Sequence, residues 1–174
     1  MTDRKFPIGP FLKQEDYSKQ ELEIFIQNIE KAPAVYRQLI ENLSEEELAK
    51  TYRDDSWNVR QIAHHVSDIQ YLHYLRLKKA LTEPENNEMV LIDMNAWAAT
   101  PDSLSAPVAD SLLSFEGTVK RYVFLARTLT EAQLSISYYH SARQVWFTQK
   151  DALAISNWHI HHHLGHLKWA LGKA

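Results

Sequence analysis

Cysteine is absent from this chain of 174 residues. Disulfide bonds, thiolate zinc sites, iron–sulfur clusters and a cysteine nucleophile are therefore excluded. A metal site in this protein would have to be built from nitrogen and oxygen ligands.

Long apolar runs and concentrations of basic residues are also missing. No window approaches the roughly 20 apolar residues of a membrane-spanning helix, and residues 1–11 lack the apolar core of a signal peptide. The formal net charge is -3, and Lys and Arg are scattered along the chain, so nothing indicates nucleic acid as a partner. We expect a cytoplasmic protein that acts on a small molecule and binds no membrane.

Glycine occurs only four times, and no alternating apolar and polar pattern lasts for more than a few residues. Apolar residues instead recur at helical spacing. The pattern predicts one helix that begins near Ser18 and three more that run from Trp57 to about Leu81, from Pro107 to Leu129 and from Lys150 to Leu171.

Local signals refine this prediction. An S-x-x-E capping box begins at Ser18 and another at Ser44, and Ser56 is the expected N-cap of the second long helix. Pro33 predicts a kink or a division into two shorter helices. The aromatic and β-branched segment from Ile136 to Thr148 predicts a short hairpin or an extended segment. We expect an all-α protein, a four-helix bundle, with residues 1–174 forming a single domain.

Histidine is abundant, with nine in the chain and five of them between His159 and His166. They alternate with Ile160 and Leu164 inside the last predicted helix, so a purification tag is a poor explanation. On a helical wheel, His162 and His166 lie on one apolar face of this helix. A second apolar face lies almost opposite, and we expect one face to meet the bundle interior and the other a second subunit or the preceding aromatic segment.

The spacing of His162 and His166 allows both rings to reach one metal ion. His65 shares an apolar stripe on the second long helix and is the expected third ligand. His159 and His163 have the same spacing, and His159 is the main rival because the wheel turns His163 away from this face.

The neighbouring histidines have other expected roles. We expect His161 and His163 to be exposed or to support the ligands, and His64 to form a surface or supporting pair with Asp68. The residues leave open whether His64 or His159 replaces a named ligand. Three imidazoles leave one coordination position free, as in catalytic zinc sites. Zinc and nickel are the expected ions, and no organic cofactor is expected.

These features resemble the DinB-like, or YfiT-like, metal-dependent hydrolases. The resemblance covers nearly the whole chain and is sharpest in three stretches: Tyr52 to Gln61, His64 to Asp68, and Trp158 to His166. It implies a homodimeric four-helix bundle with one divalent ion on three histidines, which fall on His65, His162 and His166. It also implies a relationship to transferases that use a low-molecular-weight thiol such as bacillithiol.

Three functions follow as hypotheses. The first is metal-dependent hydrolysis, the second is transfer of an external thiol, and the third is metal binding without catalysis in stress response. The catalytic residues are unassigned, and the candidates for the general base are Glu116, Asp93, Asp68 and Tyr139. The cations that could hold the carboxylates of a thiol cosubstrate are Arg53, Arg60, Lys78 and Arg143.

Overall fold

The computed structural model describes residues 4–85 and 88–173, and four long helices form a bundle. In chain order the helices are α1 (Lys19–Ile40), α2 (Glu45–Leu48), α3 (Val59–Thr82), α4 (Met94–Ala98), α5 (Pro101–Ser105), α6 (Val108–Arg127), α7 (Glu131–Leu134) and α8 (Gln149–Ala170). Between α7 and α8, strands β1 (Ser137–His140) and β2 (Val145–Thr148) pair antiparallel. The predicted four-helix bundle and its short hairpin are confirmed.

The N-termini of the helices follow the capping chemistry of the sequence. The side chains of Ser18 and Ser44 accept hydrogen bonds from the third residue of their helices, as predicted. The N-cap of α3 is Asn58, whose box partner is Gln61, and not Ser56. The Ser56 hydroxyl donates instead to the Arg53 carbonyl oxygen at 2.8 Å. Asparagine with glutamine three residues later is the stronger capping pair.

Helix α1 continues through Pro33 as one element. Proline in a helix removes one hydrogen bond and costs about 3 kcal/mol. The buried side chains of Ile29 and Tyr36 on either side of Pro33 anchor the helix in the core, and burial of each stabilises by about 1.5–3 kcal/mol. The alternative of two shorter helices is therefore wrong.

The core lies between the four long helices, and a buried hydrogen bond within it connects α1 and α8. Tyr36 of α1 donates a hydrogen bond of 2.7 Å to the carbonyl oxygen of Ile160 in α8, and Phe115 of α6 packs on the Tyr36 ring. Leu153 and Leu167 of α8 are also buried in this core. No helix within residues 4–85 and 88–173 has the length and apolar character needed to cross a membrane.

The apolar face of α8 that carries His162 and His166 is covered by the N-terminal segment, which we define as residues 4–11. The Phe6 ring lies 6.0 Å from that of His162, and Trp158 donates a hydrogen bond of 3.1 Å to the Gly9 carbonyl oxygen. Phe11 packs on Trp158 and also contacts the hairpin. A cover by the N-terminal segment was not predicted, whereas the predicted aromatic segment contributes to it through the contact of Phe147 with Phe11.

Gly165 allows the N-terminal segment to approach α8 closely. A Cβ atom at position 165 would lie 2.7 Å from Cγ and 2.8 Å from Cβ of Pro7, so the rigid proline ring would have to move. We expect Gly165→Ala to lower the free energy of unfolding by about 1–2 kcal/mol despite its better helix propensity. Gly117→Ala in α6, where a Cβ meets nothing within 4 Å, should raise it by about 0.5–1 kcal/mol. Urea unfolding measures both, and equal effects would contradict this packing.

Candidate metal centre

Helices α3 and α8 bring three histidines together, which we name the first histidine group: His65, His159 and His163. The Nε2 atoms of His65 and His159 are 3.1 Å apart. The His163 ring centroid is 4.8 Å from that of His65 and 4.5 Å from that of His159. One ligand nitrogen from each residue lies within 4.8 Å of the other two.

A second histidine group lies on α8 alone and consists of His162, His163 and His166. Its members have other contacts that explain part of their burial. The His166 ring stacks on Tyr52 with centroids 3.9 Å apart, and its Nε2 lies 3.3 Å from the Lys5 carbonyl oxygen. The His162 ring stacks on Trp158 at 4.5 Å, while its buried Nδ1 has no hydrogen-bond partner among the described residues.

The predicted ligands His65, His162 and His166 are all buried, but they do not form one of the groups found among the described residues. On α8, His159 and His163 lie on the side that meets α3. His162 and His166 lie on the side covered by the N-terminal segment. The predicted set therefore stays a prediction, and its rival His159 lies in the group that includes His65.

Two neighbouring histidines are buried, so the exposed alternative is wrong for both and a supporting role stays a prediction. His163, expected to be exposed or supporting, is only 6% exposed and belongs to both groups. His64, expected to form a surface or supporting pair with Asp68, is buried; its Nδ1 lies 2.7 Å from the Ser111 hydroxyl and its Nε2 lies 3.2 Å from the Ala106 carbonyl oxygen. Helices α5 and α6 cover the side of α3 that carries His64. A helical wheel of α3 alone does not show which neighbouring helices cover it.

The first histidine group fits a divalent ion in both spacing and protonation. Two imidazole nitrogens bound to one tetrahedral zinc ion at about 2.0–2.1 Å would lie roughly 3.3 Å apart, close to the observed 3.1 Å between His65 and His159. Burial, followed by the charges of His162 and His166, lowers the pKa of His65 to about 3. Burial also holds the pKa values of His159 and His163 well below the ordinary value. All three rings are therefore neutral at pH 7 and have a lone pair to donate.

Two cavities meet at these histidines. The histidine cavity has a volume of about 360 Å³ and is lined by both histidine groups together with Phe6, Tyr52 and Trp57. The arginine cavity has a volume of about 300 Å³ and contains Arg76 and Arg143 in a largely apolar wall. Both linings include Met94, Arg143, Trp158 and His159, so a ligand in either cavity would contact the same histidine.

None of the four predicted general bases lines the histidine cavity as the structure describes it. Glu116 pairs with Arg37 and Lys120, and Asp93 caps α4. Asp68 is half-buried, and burial followed by the charge of Asp102 raises its pKa to about 6. Tyr139 lies in β1, where its ring packs on Trp146.

Asp55 is the acidic residue in the described lining of the histidine cavity. No sequence pattern identified Asp55. Its φ of 55° lies in the left-handed region, which aspartate and asparagine tolerate better than most residues. Asp55 and the adjacent Asp54 are both exposed, but Asp54 is not part of this lining. The conformation of this loop places the Asp55 carboxylate, and not that of Asp54, in the lining of the histidine cavity. No periodic sequence pattern predicts that conformation.

The predicted cations divide into two classes. Arg53 and Arg143 line the histidine cavity. Arg60 is buried and bonds to Glu45 and to the Ala106 carbonyl oxygen, and Lys78 is exposed on α3. Arg53 and Arg143 are therefore the members of the predicted set that could contact a ligand in this cavity.

Comparison with known proteins agrees with the fold and with a metal site. A family model described as the DinB superfamily matches residues 28–167. A relative from Bacillus subtilis (strain 168), named "Putative metal-dependent hydrolase YfiT", is 35% identical over 162 residues, which cover 93% of this chain and 90% of the relative. A relative from Oceanobacillus iheyensis with the same general name is 37% identical over 169 residues, which cover 97% of this chain and 96% of the relative.

A solved structure is also similar. YfiT from Bacillus subtilis, described as "a probable metal-dependent hydrolase with an unusual four-helix bundle topology", matches with a TM-score of 0.91 and 33% sequence identity. The match covers 98% of this chain and 99% of the solved chain. The hydrolase name thus accompanies close relatives of this chain, which itself carries histidine groups able to hold an ion.

Proposed function

Since this chain belongs to the DinB superfamily, we propose that it is a metal-dependent hydrolase whose ion is held by His65, His159 and His163. The observation that carries the proposal is the 3.1 Å approach of the Nε2 atoms of His65 and His159. These atoms come from two helices, and His163 supplies a third nitrogen within 4.8 Å. A neutral three-nitrogen set of this kind suits zinc or nickel.

Three protein ligands leave one position for a substrate group or water. An ion held by the three histidines would supply Lewis acidity, which would polarise the group to be cleaved and make water a stronger acid. Aromatic side chains flank the histidines: Trp57 lies 4.6 Å from the His65 ring and Trp158 packs on His162. Low polarity around the ligands strengthens charge interactions in the site.

Asp55 is our proposal for the proton acceptor in hydrolysis. Its carboxylate is the acidic group in the described lining of the histidine cavity, and a positioned base contributes roughly 10²–10⁴-fold to rate. We expect Asp55→Asn to lower kcat by about this factor while metal stoichiometry is unchanged. Asparagine also tolerates the left-handed backbone, so the loop should keep its conformation.

The test is turnover of p-nitrophenyl esters and anilides by zinc-loaded or nickel-loaded protein, compared with protein treated with a chelator. Asp54→Asn is the matched control, because it removes the neighbouring carboxylate without altering the lining of the cavity. Loss of turnover in the Asp55 variant alone supports the proposal. Equal turnover in both variants would exclude Asp55 as the base, and equal turnover with and without metal would exclude a metal-dependent hydrolase.

Thiol transfer is distinguished in the same experiment. Metal-loaded protein is given a low-molecular-weight thiol and an alkylating electrophile, and conjugate formation is followed. Because the chain has no cysteine, any catalysed conjugation must use the added thiol. Conjugation without hydrolysis would replace the hydrolase by a thiol S-transferase. Stoichiometric metal uptake without either reaction would leave a non-catalytic metal-binding bundle.

A further inference from the structure

The arginine cavity contains two positive charges for which the described residues provide no ion pair. Arg76 of α3 lines it, and its Nε and Nη2 donate hydrogen bonds to the Val90 carbonyl oxygen at 3.1 and 2.6 Å. No carboxylate among residues 4–85 and 88–173 forms an ion pair with Arg76. Arg76 also lines a smaller cavity of about 30 Å³ with Glu83 and Glu88, but Glu83 pairs with Lys79.

A second arginine lies where the two cavities meet. Arg143 follows β1 in the hairpin turn and lines both cavities. The described part of the chain gives it no ion pair either. Arg37 pairs with Glu41 and Arg127 with Glu30. Arg76 and Arg143 differ from these two because they line one pocket without an ion pair among the described residues.

The rest of the arginine cavity is apolar. Ile69 and Leu77 of α3 and Ile155 of α8 form part of its wall, together with Met89 and Ile92. Arg76 is partly buried, whereas Arg143 is exposed. Removing the Arg76 cation from water without an anionic partner is costly, so an anion that binds Arg76 in this pocket gains more than it would at the surface. A guanidinium group also binds a carboxylate through two parallel hydrogen bonds.

We propose that the arginine cavity binds the carboxylate end of an amphiphilic substrate, with Arg76 and Arg143 around the anion and the apolar wall around its hydrocarbon part. The proposal rests on the proposed function, because it assigns a substrate class to the same site. His159 and Trp158 line both cavities, so the other end of such a molecule reaches the first histidine group. The substrate class is a carboxylate-bearing ester or amide with an apolar chain.

Octanoate is the probe, and octanamide is its uncharged isostere. Isothermal titration of each into chelator-treated protein measures binding that no metal ion can cause. We expect octanoate to bind at least 10-fold more tightly than octanamide. Arg76→Gln should remove this preference, and Arg76→Lys should keep part of it because the charge remains. Lys78→Gln is the matched control, since it removes an exposed positive charge from the same helix and should change neither affinity.

A second variant tests the location of the site. Ala152 of α8 lines the arginine cavity, and Ala152→Phe should fill it and weaken the binding of both probes while zinc uptake stays stoichiometric. Equal affinities of octanoate and octanamide, or a preference that survives Arg76→Gln, would overturn the proposal. The latter result would identify surface charge as the cause. If Arg76→Gln does not fold, Arg143→Gln and Ala152→Phe decide the same question.

Failure of the proposed substrate class and failure of the proposed metal-dependent hydrolase would give different results. Zinc uptake by the wild-type protein without a preference for octanoate would overturn the substrate class alone. A preference for octanoate without zinc uptake would overturn the metal-dependent hydrolase and leave an anion-binding pocket.

Discussion

Replacement of His159 by alanine is expected to lower the affinity for zinc or nickel by more than about 100-fold, because even the loss of a group that only supports a ligand costs 10–100-fold. His159 contributes one of the two nitrogens that approach within 3.1 Å. His65→Ala should have an effect of similar size. Competition with a chelator of known affinity measures the change, at a temperature below the unfolding transition of each variant.

His162→Ala is the decisive comparison. If the ion is held by His65, His159 and His163, this variant should lose much less metal affinity than the roughly 100-fold expected of the His159 variant, although loss of the contact with Trp158 should reduce stability. His161→Ala is the control, since the His161 Nδ1 lies 2.8 Å from the Asn157 carbonyl oxygen within the same helix. The set predicted from the sequence, His65 with His162 and His166, requires the opposite result: loss in the His162 variant and retention in the His159 variant.

The sequence predicted the bundle well because local and periodic signals agree. The capping boxes at Ser18 and Ser44 and the apolar stripes at helical spacing each depend on a few neighbouring residues. The hairpin before α8 follows from the aromatic and β-branched residues of that segment. Errors occurred where two adequate caps compete, as at Ser56 and Asn58, and where burial outweighs a local penalty, as at Pro33.

The metal ligands were harder to predict because α8 carries five histidines and two apolar faces. A helical wheel shows where each residue lies around the axis of one helix. It does not show which face meets α3 and which face is covered by another segment. The sequence left open which of the two faces meets the bundle interior, and Phe6 of the N-terminal segment covers the face of Trp158 and His162. His65 was identified because its helix has a single clear stripe. Asp55 could not be identified, since only the fold of its loop brings it to the cavity.

Acidification of the metal-free protein from pH 7 to pH 5 is expected to remove several kcal/mol of stability, because several histidines are buried in neutral form. Burial is the main cause that lowers the pKa of His73 to about 3 from 6.5, with the charges of Arg76 and His65 adding to it. The unfolded chain therefore binds more protons than the folded chain between pH 6.5 and about 3, so this stability is present above pH 6.5 and is lost as pH falls. At pH 5 the loss is about 2 kcal/mol for one such residue.

His73→Leu removes this contribution and leaves all members of both histidine groups in the chain, although the His73 ring packs edge-on against His159 with centroids 6.0 Å apart. Its loss of stability between pH 7 and pH 5, measured by urea unfolding with a chelator present, should be smaller than that of the wild-type protein by about 2 kcal/mol. His161→Gln should leave the wild-type loss unchanged, because that side chain is only half-buried on the polar stripe of α8. Bound zinc should reduce the loss near pH 7 and be released as the ligands protonate. An unchanged pH dependence in the His73 variant would mean that this ring is protonated, or reached by water, in the folded state.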